Sequence, residues 1–284
     1  MEKNSSVVAP PERPAYTGNV FKDFAVILMS LAKWALFLVV TFFCALSASI
    51  LAIFRLANAA HVVAQIWGRT LLFCSGVKLR VHDAEKLYRD GPVIIMANHQ
   101  SLFDVLVMYG ALPIQFRWMA KASIFKIPLF GSAMAGAGYI PVERDDKKKA
   151  LQALFVAAEA VQAGKSVIIY PEGTRGYPDG RMRSFKKGGF ILARKANVVI
   201  QPLTIDGARR ILPIQEKHIL QRMYGGAIDV YVHDPIMPEA QKGLSLDGLS
   251  DMLREVIARP LPDGAAGRQN ETSTAGESQP ALKS

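Results

Sequence analysis

Apolar residues follow two different patterns along this chain. From Trp34 to Phe54 they form one run, WALFLVVTFFCALSASILAIF, which lacks charge, proline and glycine and is close to the roughly 20 residues that cross a bilayer. The stretch extends back to Phe24 and is interrupted by Lys33. We therefore predict a membrane-anchoring helical segment over residues 21–75. A spanning helix, a tilted helix and two re-entrant helices all fit this pattern.

Beyond residue 75, short apolar segments alternate with amphipathic ones. The apolar segments predict strands at Val77–Val81, Val93–Ala97, Arg117–Met119, Gly138–Val142, Ser166–Tyr170, Val198–Leu203 and Ile228–Val232. The amphipathic segments predict helices after Ser101, around Pro128–Ala135, and at Lys147–Ala163, Lys187–Ala196 and Leu246–Ala258. This alternation is typical of an α/β fold with a mostly parallel or mixed central sheet flanked by helices. It predicts one such domain over residues 76–261.

The two ends of the chain have a different composition. Residues 1–20 are rich in Pro, Ser and Asn, and residues 262–284 are rich in Gly, Ser, Thr, Asn and Gln. Segments with so few apolar residues cannot form a core. We expect a flexible leader at 1–20 and a disordered tail at 262–284.

Composition narrows the classes of function. Half of the residues are apolar and the formal net charge is +10, which suits a protein that works against an anionic phospholipid surface. Nucleic acid is disfavoured as a partner, because zinc-finger spacing, an aromatic RNA-binding signature and a long basic helix are all missing from the sequence. Cys44 and Cys74 form no metal-binding pair and the histidines are scattered, so we predict no metal and a reducing compartment.

The first candidate motif is NHQSLFD at residues 98–104, directly after a predicted strand. Active sites of open α/β sheets tend to lie in such loops. If Ser101 caps the next helix, Asp104 lies in its first turn and His99 just before it, so the two side chains can meet. A carboxylate on one nitrogen of a neutral imidazole fixes the tautomer, and the other nitrogen then accepts a proton. A mere capping box with an ordinary loop histidine is an equally good interpretation of these seven residues.

The second candidate motif is YPEGTR at residues 170–175, which also follows a predicted strand. Pro171 ends the strand, and Arg175 is suited to bidentate contact with a phosphate. The alternative is a surface turn with a local ion pair between Glu172 and Arg175. Lys121 and Arg144 follow two further strands, and there solvated charge is the alternative to an anion site.

The four blocks NHQSLFD, KASIFKIPLFG with GYIPVER, YPEGTR with SFKKG, and VVIQPL occur in this order between residues 75 and 210. This arrangement resembles the glycerolipid acyltransferase family, closest to bacterial 1-acylglycerol-3-phosphate acyltransferases. The family's H-x-x-x-x-D motif falls on His99 and Asp104, which the resemblance identifies as catalytic. Its substrate-binding positions fall on Lys121, Arg144, Glu172, Gly173, Thr174 and Arg175. The third block begins with Tyr170 where Phe is usual.

The resemblance implies a membrane-bound enzyme without a cofactor. Such enzymes transfer a fatty-acyl group from acyl carrier protein or coenzyme A to the sn-2 hydroxyl of lysophosphatidic acid, giving phosphatidic acid. Bacterial members imply the inner membrane, with the catalytic domain facing the cytoplasm and phospholipid and lysophospholipid as partners. The sequence leaves open another acceptor such as a lyso-ornithine lipid, a lipid-binding protein without chemistry, and a serine or thiol hydrolase. Oxyanion donors are expected among the backbone N–H groups near Gly173 or after Ser101.

Overall fold

A computed structural model of the protein describes residues 19–177, 179–212 and 223–262. Most of the predicted leader and tail lies outside these ranges. The described strands are β1 (Val77–His82), β2 (Val93–Ala97), β3 (Phe116–Lys121), β4 (Ile140–Val142), β5 (Ser166–Ile169), β6 (Val199–Asp206) and β7 (Gly226–Val232). The described helices are α1 (Val20–Ile53), α2 (Ala57–Cys74), α3 (Phe103–Ala111), α4 (Phe130–Gly136), α5 (Lys147–Gln162), α6 (Gly188–Ala196), α7 (Ala208–Ile211), α8 (Pro238–Lys242) and α9 (Leu246–Ala258).

The strands form one mixed sheet in the order β1-β7-β6-β2-β5-β3-β4. Its neighbouring strands are parallel apart from β6 and β7, which pair antiparallel. The predicted α/β class and mixed sheet are therefore confirmed. Every predicted strand is present, although β6 continues three residues past the predicted end at Leu203, and the short helices α7 and α8 were not predicted.

The sheet is covered on both faces, which is why its central strands are apolar throughout. Along β2, alternate side chains point to opposite layers: Val93 and Ile95 join the core beneath α1, α2, α3 and α4, whereas Ile94 and Met96 join the core beneath α5, α6 and α9. All five residues of β2 are buried. The loop that leaves β2 therefore begins at the end of a fully buried strand.

The predicted anchoring segment contains two helices, α1 and α2. The side chain of Asn19 accepts hydrogen bonds from the N–H groups of Phe21 and Lys22 and so caps the start of α1, while a turn at Arg55 and Leu56 joins α1 to α2. Within the described residues, α1 alone is long and apolar enough to cross a membrane, and most of its apolar window is exposed.

Both helices also pack against the α/β domain. Gly136 of α4 touches α1 so closely that a Cβ atom there would lie 2.1 Å from the Cβ atom of Ala52. The Lys33 ammonium donates to the carbonyl oxygens of Ser75 and Met223, at 3.1 and 3.3 Å. The charge that interrupts the apolar run thus serves to fix α1 to the rest of the protein.

Candidate active site

The two main motifs meet at one edge of the sheet. β2 and β5 are parallel neighbours, with Met96 paired to Ile169, so the loops that follow them start side by side. His99 lies two residues beyond β2, and Tyr170 comes directly after β5. The structure thus brings together side chains that are about 70 residues apart in sequence.

His99 and Asp104 form the predicted pair. The imidazole Nδ1 lies 2.7 Å from Asp104 Oδ2; Asp104 is completely buried, whereas 11% of the His99 side chain is exposed. A carboxylate beside Nδ1 holds the proton on that nitrogen. Nε2 of His99 is consequently left with its lone pair for an incoming group.

The start of α3 differs from the predicted arrangement. The helix begins at Phe103 with Leu102 at its cap position, not with Ser101. The Ser101 hydroxyl accepts weakly from the Phe103 N–H at 3.3 Å and donates to the Leu212 carbonyl at 2.8 Å. Asp104 Oδ2 itself accepts from the N–H groups of Gln100 and Ser101, at 2.6 and 2.9 Å. Asp104 therefore holds two backbone N–H groups that precede α3 and pairs with His99 through the same oxygen. The helix has no side-chain cap, so the interpretation as a mere capping box with an ordinary loop histidine does not describe this motif.

Two backbone N–H groups close to the expected oxyanion donors are already in use. The N–H of Ser101 is bound to Asp104, and the N–H of Gly173 donates to the Tyr170 carbonyl at 3.0 Å. Neither group is available to a reacting carbonyl oxygen in this conformation. The expectation of oxyanion donors near Gly173 or after Ser101 stays a prediction for the neighbouring N–H groups.

Glu172 connects the two motifs. Its Oε1 accepts from the His99 N–H at 2.8 Å and its Oε2 accepts from the Arg183 N–H at 2.7 Å, and the residue is only 2% exposed. Burial raises the pKa of this carboxyl to about 7, against the opposing effect of the two N–H donors. This geometry differs from the surface ion pair with Arg175 considered as an alternative. Each carboxylate oxygen of Glu172 accepts a hydrogen bond from a backbone N–H group, and one of these groups belongs to His99.

Asn98 is a further support that the sequence did not identify. Its side-chain amide donates to the Ile205 carbonyl at 2.9 Å and its oxygen accepts from the Ile205 N–H at 2.8 Å. This pair of bonds attaches the loop after β2 to β6. The sequence signal for a role of Asn98 was its position in the NHQSLFD block. Its partner could not be identified in the same way, because Ile205 lies 107 residues away in sequence.

Tyr170 is a second residue without a predicted role. Its ring stacks on the His99 imidazole, with centroids 4.1 Å apart and an interplanar angle of 5°. A row of rings continues from Tyr170 to Trp118 and then to Tyr109, at centroid separations of 5.7 and 5.9 Å. We call these four residues, from His99 to Tyr109, the aromatic row.

The aromatic row ends at an apolar cavity of about 50 Å³ between α1, α2 and α4. Tyr109 and Tyr139 line its inner wall, together with Trp67 and Phe130 and with Cys44 of α1. The cavity is therefore enclosed jointly by the α/β domain and by the two N-terminal helices.

The predicted substrate-binding residues lie at the same edge of the sheet, because β3 and β4 run parallel to β5 and each other. Lys121 ends β3 and is exposed, Arg144 follows β4 and is partly buried, and Arg175 follows β5 and is partly buried. Burial lowers the pKa of Arg144, although an arginine remains charged. The edge thus combines a histidine with three cationic side chains.

The YPEGTR turn itself is tightly constrained. Gly173 has a φ of 71°, a conformation that favours glycine, and a Cβ atom there would lie 2.7 Å from Cε of Lys186. Thr174 is exposed. Lys186, from the SFKKG segment, therefore lies across this turn, although its neighbour Lys187 pairs with Asp247 at 2.8 Å.

No three His, Cys, Asp or Glu side chains of the described ranges cluster as metal ligands would. The two described cysteines are free thiols. Cys44 belongs to the cavity wall rather than to the edge that holds His99.

Comparison with known proteins identifies similar chains. The profile of the Acyltransferase family matches residues 78–206. The chain is 33% identical over 202 residues to the chloroplastic 1-acyl-sn-glycerol-3-phosphate acyltransferase of Arabidopsis thaliana, covering 71% of this chain and 54% of that protein. It is 34% identical over 185 residues to a putative 1-acyl-sn-glycerol-3-phosphate acyltransferase of Caenorhabditis elegans, covering 64% and 67%.

Among bacterial proteins, the chain is 34% identical over 121 residues to the 1-acyl-sn-glycerol-3-phosphate acyltransferase of Helicobacter pylori, covering 43% of this chain and 51% of that protein. It spans about half the length of most curated relatives named here. The crystal structure of the 1-acyl-sn-glycerophosphate acyltransferase PlsC from Thermotoga maritima superposes with a TM-score of 0.71 at 24% identity, covering 84% and 95% of the two chains. That likeness shows a shared fold.

The raised pKa of Glu172 generates a stability prediction. The Glu172 carboxyl keeps its proton to a higher pH in the folded state than in the unfolded state. Its contribution to the free energy of unfolding therefore falls as the pH rises from about 4.5 to about 7. Glu172→Gln has no proton to lose in that window. The melting temperature of the unmodified protein in detergent should therefore fall relative to that of Glu172→Gln between about pH 5 and about pH 8. Glu85→Gln, at an exposed glutamate, is the control, and a Glu172→Gln curve parallel to the unmodified one would contradict the prediction.

Proposed function

This chain belongs to the Acyltransferase family, and we propose that it transfers a fatty-acyl group from a thioester to the sn-2 hydroxyl of lysophosphatidic acid. The names of its relatives favour this acceptor. The observation on which the proposal mainly rests is the pair of His99 Nδ1 and Asp104 Oδ2, 2.7 Å apart, beside three cationic residues at one edge of the sheet.

His99 acts as the general base. Its Nε2 takes the proton of the sn-2 hydroxyl while that oxygen attacks the thioester carbonyl carbon, and buried Asp104 stabilises the imidazolium that forms. The new C–O bond is completed as the C–S bond breaks. His99 then returns the proton to the departing thiolate. The enzyme therefore ends the cycle in the protonation state in which it began.

The cations bind the acceptor. Arg175 offers the planar guanidinium that suits a phosphate, and Arg144 and Lys121 add positive charge from the two neighbouring loops. The hydrogen bonds of Glu172 support a role in holding the His99 loop in place, rather than the direct substrate contact expected for this position. Gly173 and Thr174 shape the turn that presents Arg175.

The acyl chain occupies the apolar cavity. The cavity has a volume of about 50 Å³ and an apolar lining, and the aromatic row connects it to His99. Because α1 and α2 form part of its wall, a chain entering from lipid does not need to cross water. Either coenzyme A or acyl carrier protein serves as the thioester, since neither the cavity nor the row discriminates between carriers.

The protein associates with the membrane through α1 and α2. Large apolar side chains of α1 such as Leu38 and Phe42 are 66% and 53% exposed, and Phe73 of α2 is 84% exposed. Such a surface is unfavourable in water and favourable in lipid. A bacterial inner membrane with the catalytic domain on the cytoplasmic side fits this proposal.

Three alternatives differ from this proposal in their chemistry. A lyso-ornithine lipid would present a hydroxyl without a phosphate and would leave Arg175 without its proposed ligand. A serine hydrolase would need a free nucleophile near His99, whereas the Ser101 hydroxyl is buried and donates to the Leu212 carbonyl. A lipid-binding protein without chemistry would consume no thioester.

Removing the base or its partner should abolish most activity. We expect His99→Ala and Asp104→Asn to lower kcat by about 100-fold or more with little change in KM, because the proton transfer is lost but the acceptor site is kept. The assay follows free thiol release by purified protein in detergent, with lysophosphatidic acid and either thioester. His82→Ala is a matched control, since His82 Nε2 pairs with Asp229 at 2.7 Å on a distant strand. Near-normal turnover in His99→Ala would end this mechanism.

Arg175→Ala should affect binding of the acceptor. Loss of a charged hydrogen-bond donor to the phosphate predicts an increase of about 10-fold or more in KM for lysophosphatidic acid, with kcat changed much less. A lyso-ornithine acceptor measured alongside should show no such increase. Arg89→Ala is the control, because Arg89 is exposed and precedes β2 at the opposite edge of the sheet. An unchanged KM for lysophosphatidic acid would remove the phosphate role.

The membrane contact of α1 can be tested by introducing charge. Leu38→Glu combined with Phe42→Glu should lower partitioning onto vesicles of phosphatidylcholine and phosphatidylglycerol by about 10-fold or more, because two apolar side chains lose their burial in lipid. Leu151→Glu, at a residue that is 50% exposed on α5, should leave partitioning unchanged. Equal partitioning of the double variant and the unmodified protein would argue against this face as the contact.

A further inference from the structure

We propose that the outer face of α5 is a docking surface for an acidic acyl carrier protein, which brings the thioester to His99. This inference rests on the proposed function, because it concerns how one of the two donors reaches the active site. Coenzyme A has no protein body, so transfer of its acyl group does not require this face.

Helix α5 exposes a cluster of large apolar side chains. Among the described residues that follow α2, seven such side chains are exposed, and three of them belong to this helix: Leu151, Phe155 and Val156, at 50, 48 and 49% exposure. Leu151 and Phe155 are four residues apart, so they lie one turn apart on the same side of the helix. The other side of α5 packs into the core through Ala157 and Val161. The apolar cluster is therefore not part of the core and marks a contact surface.

Two lysines border this cluster. Lys148 precedes Leu151 by three residues and lies beside it on the same side of α5. Lys195 comes from the neighbouring helix α6, and its ammonium lies 5.1 Å from the centroid of the Phe155 ring. The face therefore combines an apolar centre with positive charge from two helices.

The charge of these two lysines is not neutralised within the described part of the protein. Both are exposed, and neither forms an ion pair with a described residue, whereas Lys149 pairs with Asp146 at 3.7 Å. Exposed carboxylates lie only at the two ends of the face, Asp145 just before the helix and Glu159 one turn beyond Phe155. A partner with net negative charge therefore fits this face, because opposite charges favour its approach.

Helix α5 starts at the edge of the sheet that holds His99. Arg144, one of the proposed acceptor cations, follows β4 at this edge, and α5 begins three residues later at Lys147. An acyl carrier protein holds its acyl group on a flexible phosphopantetheine arm. A carrier bound on α5 therefore needs only to lie near this edge for its thioester to reach His99.

A lipid surface and a second copy of the chain fit this face less well. α5 packs on the face of the sheet opposite to α1 and α2, so a flat bilayer against the outer side of α1 does not also cover the outer side of α5. A two-fold contact between two copies would place the lysine-bordered face against itself, and like charges oppose such a contact. An acidic protein with an apolar surface meets neither obstacle.

The first test compares two donors of the same acyl chain. Purified protein in detergent transfers a palmitoyl group to lysophosphatidic acid, either from a bacterial acyl carrier protein or from coenzyme A. Lys148→Glu combined with Lys195→Glu reverses two charges at exposed positions. We expect kcat/KM with the carrier protein to fall about 10-fold or more, and kcat/KM with coenzyme A to stay within about twofold.

A second variant leaves the charge unchanged. Leu151→Ser combined with Phe155→Ser removes the exposed apolar centre, and it should lower kcat/KM with the carrier protein about fivefold or more while transfer from coenzyme A stays within about twofold. The control is Lys78→Glu combined with Arg89→Glu, at exposed residues outside α5 and α6. It changes the net charge as much as the lysine variant of α5 does and should leave transfer from both donors unaltered.

Binding can also be measured without turnover. Fluorescence anisotropy of a labelled carrier protein that holds no acyl group gives its Kd for the enzyme in detergent, and the lysine variant of α5 should raise this Kd about 10-fold or more. Partitioning onto vesicles of phosphatidylcholine and phosphatidylglycerol should be the same for the lysine variant and the control variant.

The outcomes separate this inference from the proposed function. An equal loss with both donors, an unchanged Kd, or an enzyme that accepts coenzyme A but not the carrier protein overturns the docking surface and leaves the acyltransferase proposal standing. Weaker partitioning of the lysine variant than of the control variant, with an unchanged Kd, assigns the face to lipid instead. Transfer from neither donor by the unmodified protein would reject the acyltransferase proposal itself.

Discussion

Two buried carboxylates, those of Asp104 and Glu172, hold the loop that follows β2. Asp104 binds this loop from the helix side and Glu172 binds it from the neighbouring strand, and together they accept four backbone N–H groups and one imidazole nitrogen. A buried carboxylate is stable only with such donors. The buried carboxylates therefore need the N–H groups of the loop, and the loop needs the carboxylates to keep its conformation. These contacts together fix the position of His99.

Much of this arrangement could be predicted from local pattern. Apolar runs such as Val93–Ala97 identified each strand, and the spacing of His99 and Asp104 identified their contact, because both depend on neighbouring residues. The partners of Asn98 and Glu172 could not be predicted, since Ile205 and Arg183 become neighbours only once the sheet has formed. The sequence left open whether the anchoring segment forms one helix or two, because the turn at Arg55 has no proline or glycine.

A histidine beside an aspartate is not by itself informative. His82 lies 2.7 Å from Asp229 and stacks on Tyr231, a close copy of the arrangement at His99. The two differ in their surroundings: the side chain of Asp229 is 10% exposed and also binds Arg80, whereas Asp104 is completely buried. His99 also faces a cationic edge and a row of rings leading to an apolar cavity. The family was predictable here because several motifs converge, not because one pair exists.

The bonds of Lys33 have a consequence for how the protein sits in a bilayer. Its ammonium donates hydrogen bonds to the carbonyl oxygens of Ser75 and Met223, and Gly136 allows α1 and α4 to pack in direct contact. α1 therefore cannot slide along its own axis past the sheet. Where α1 enters lipid as proposed, the depth of α1 in the bilayer and the height of His99 above the acyl chains cannot change independently. A thicker or thinner leaflet therefore changes both distances together.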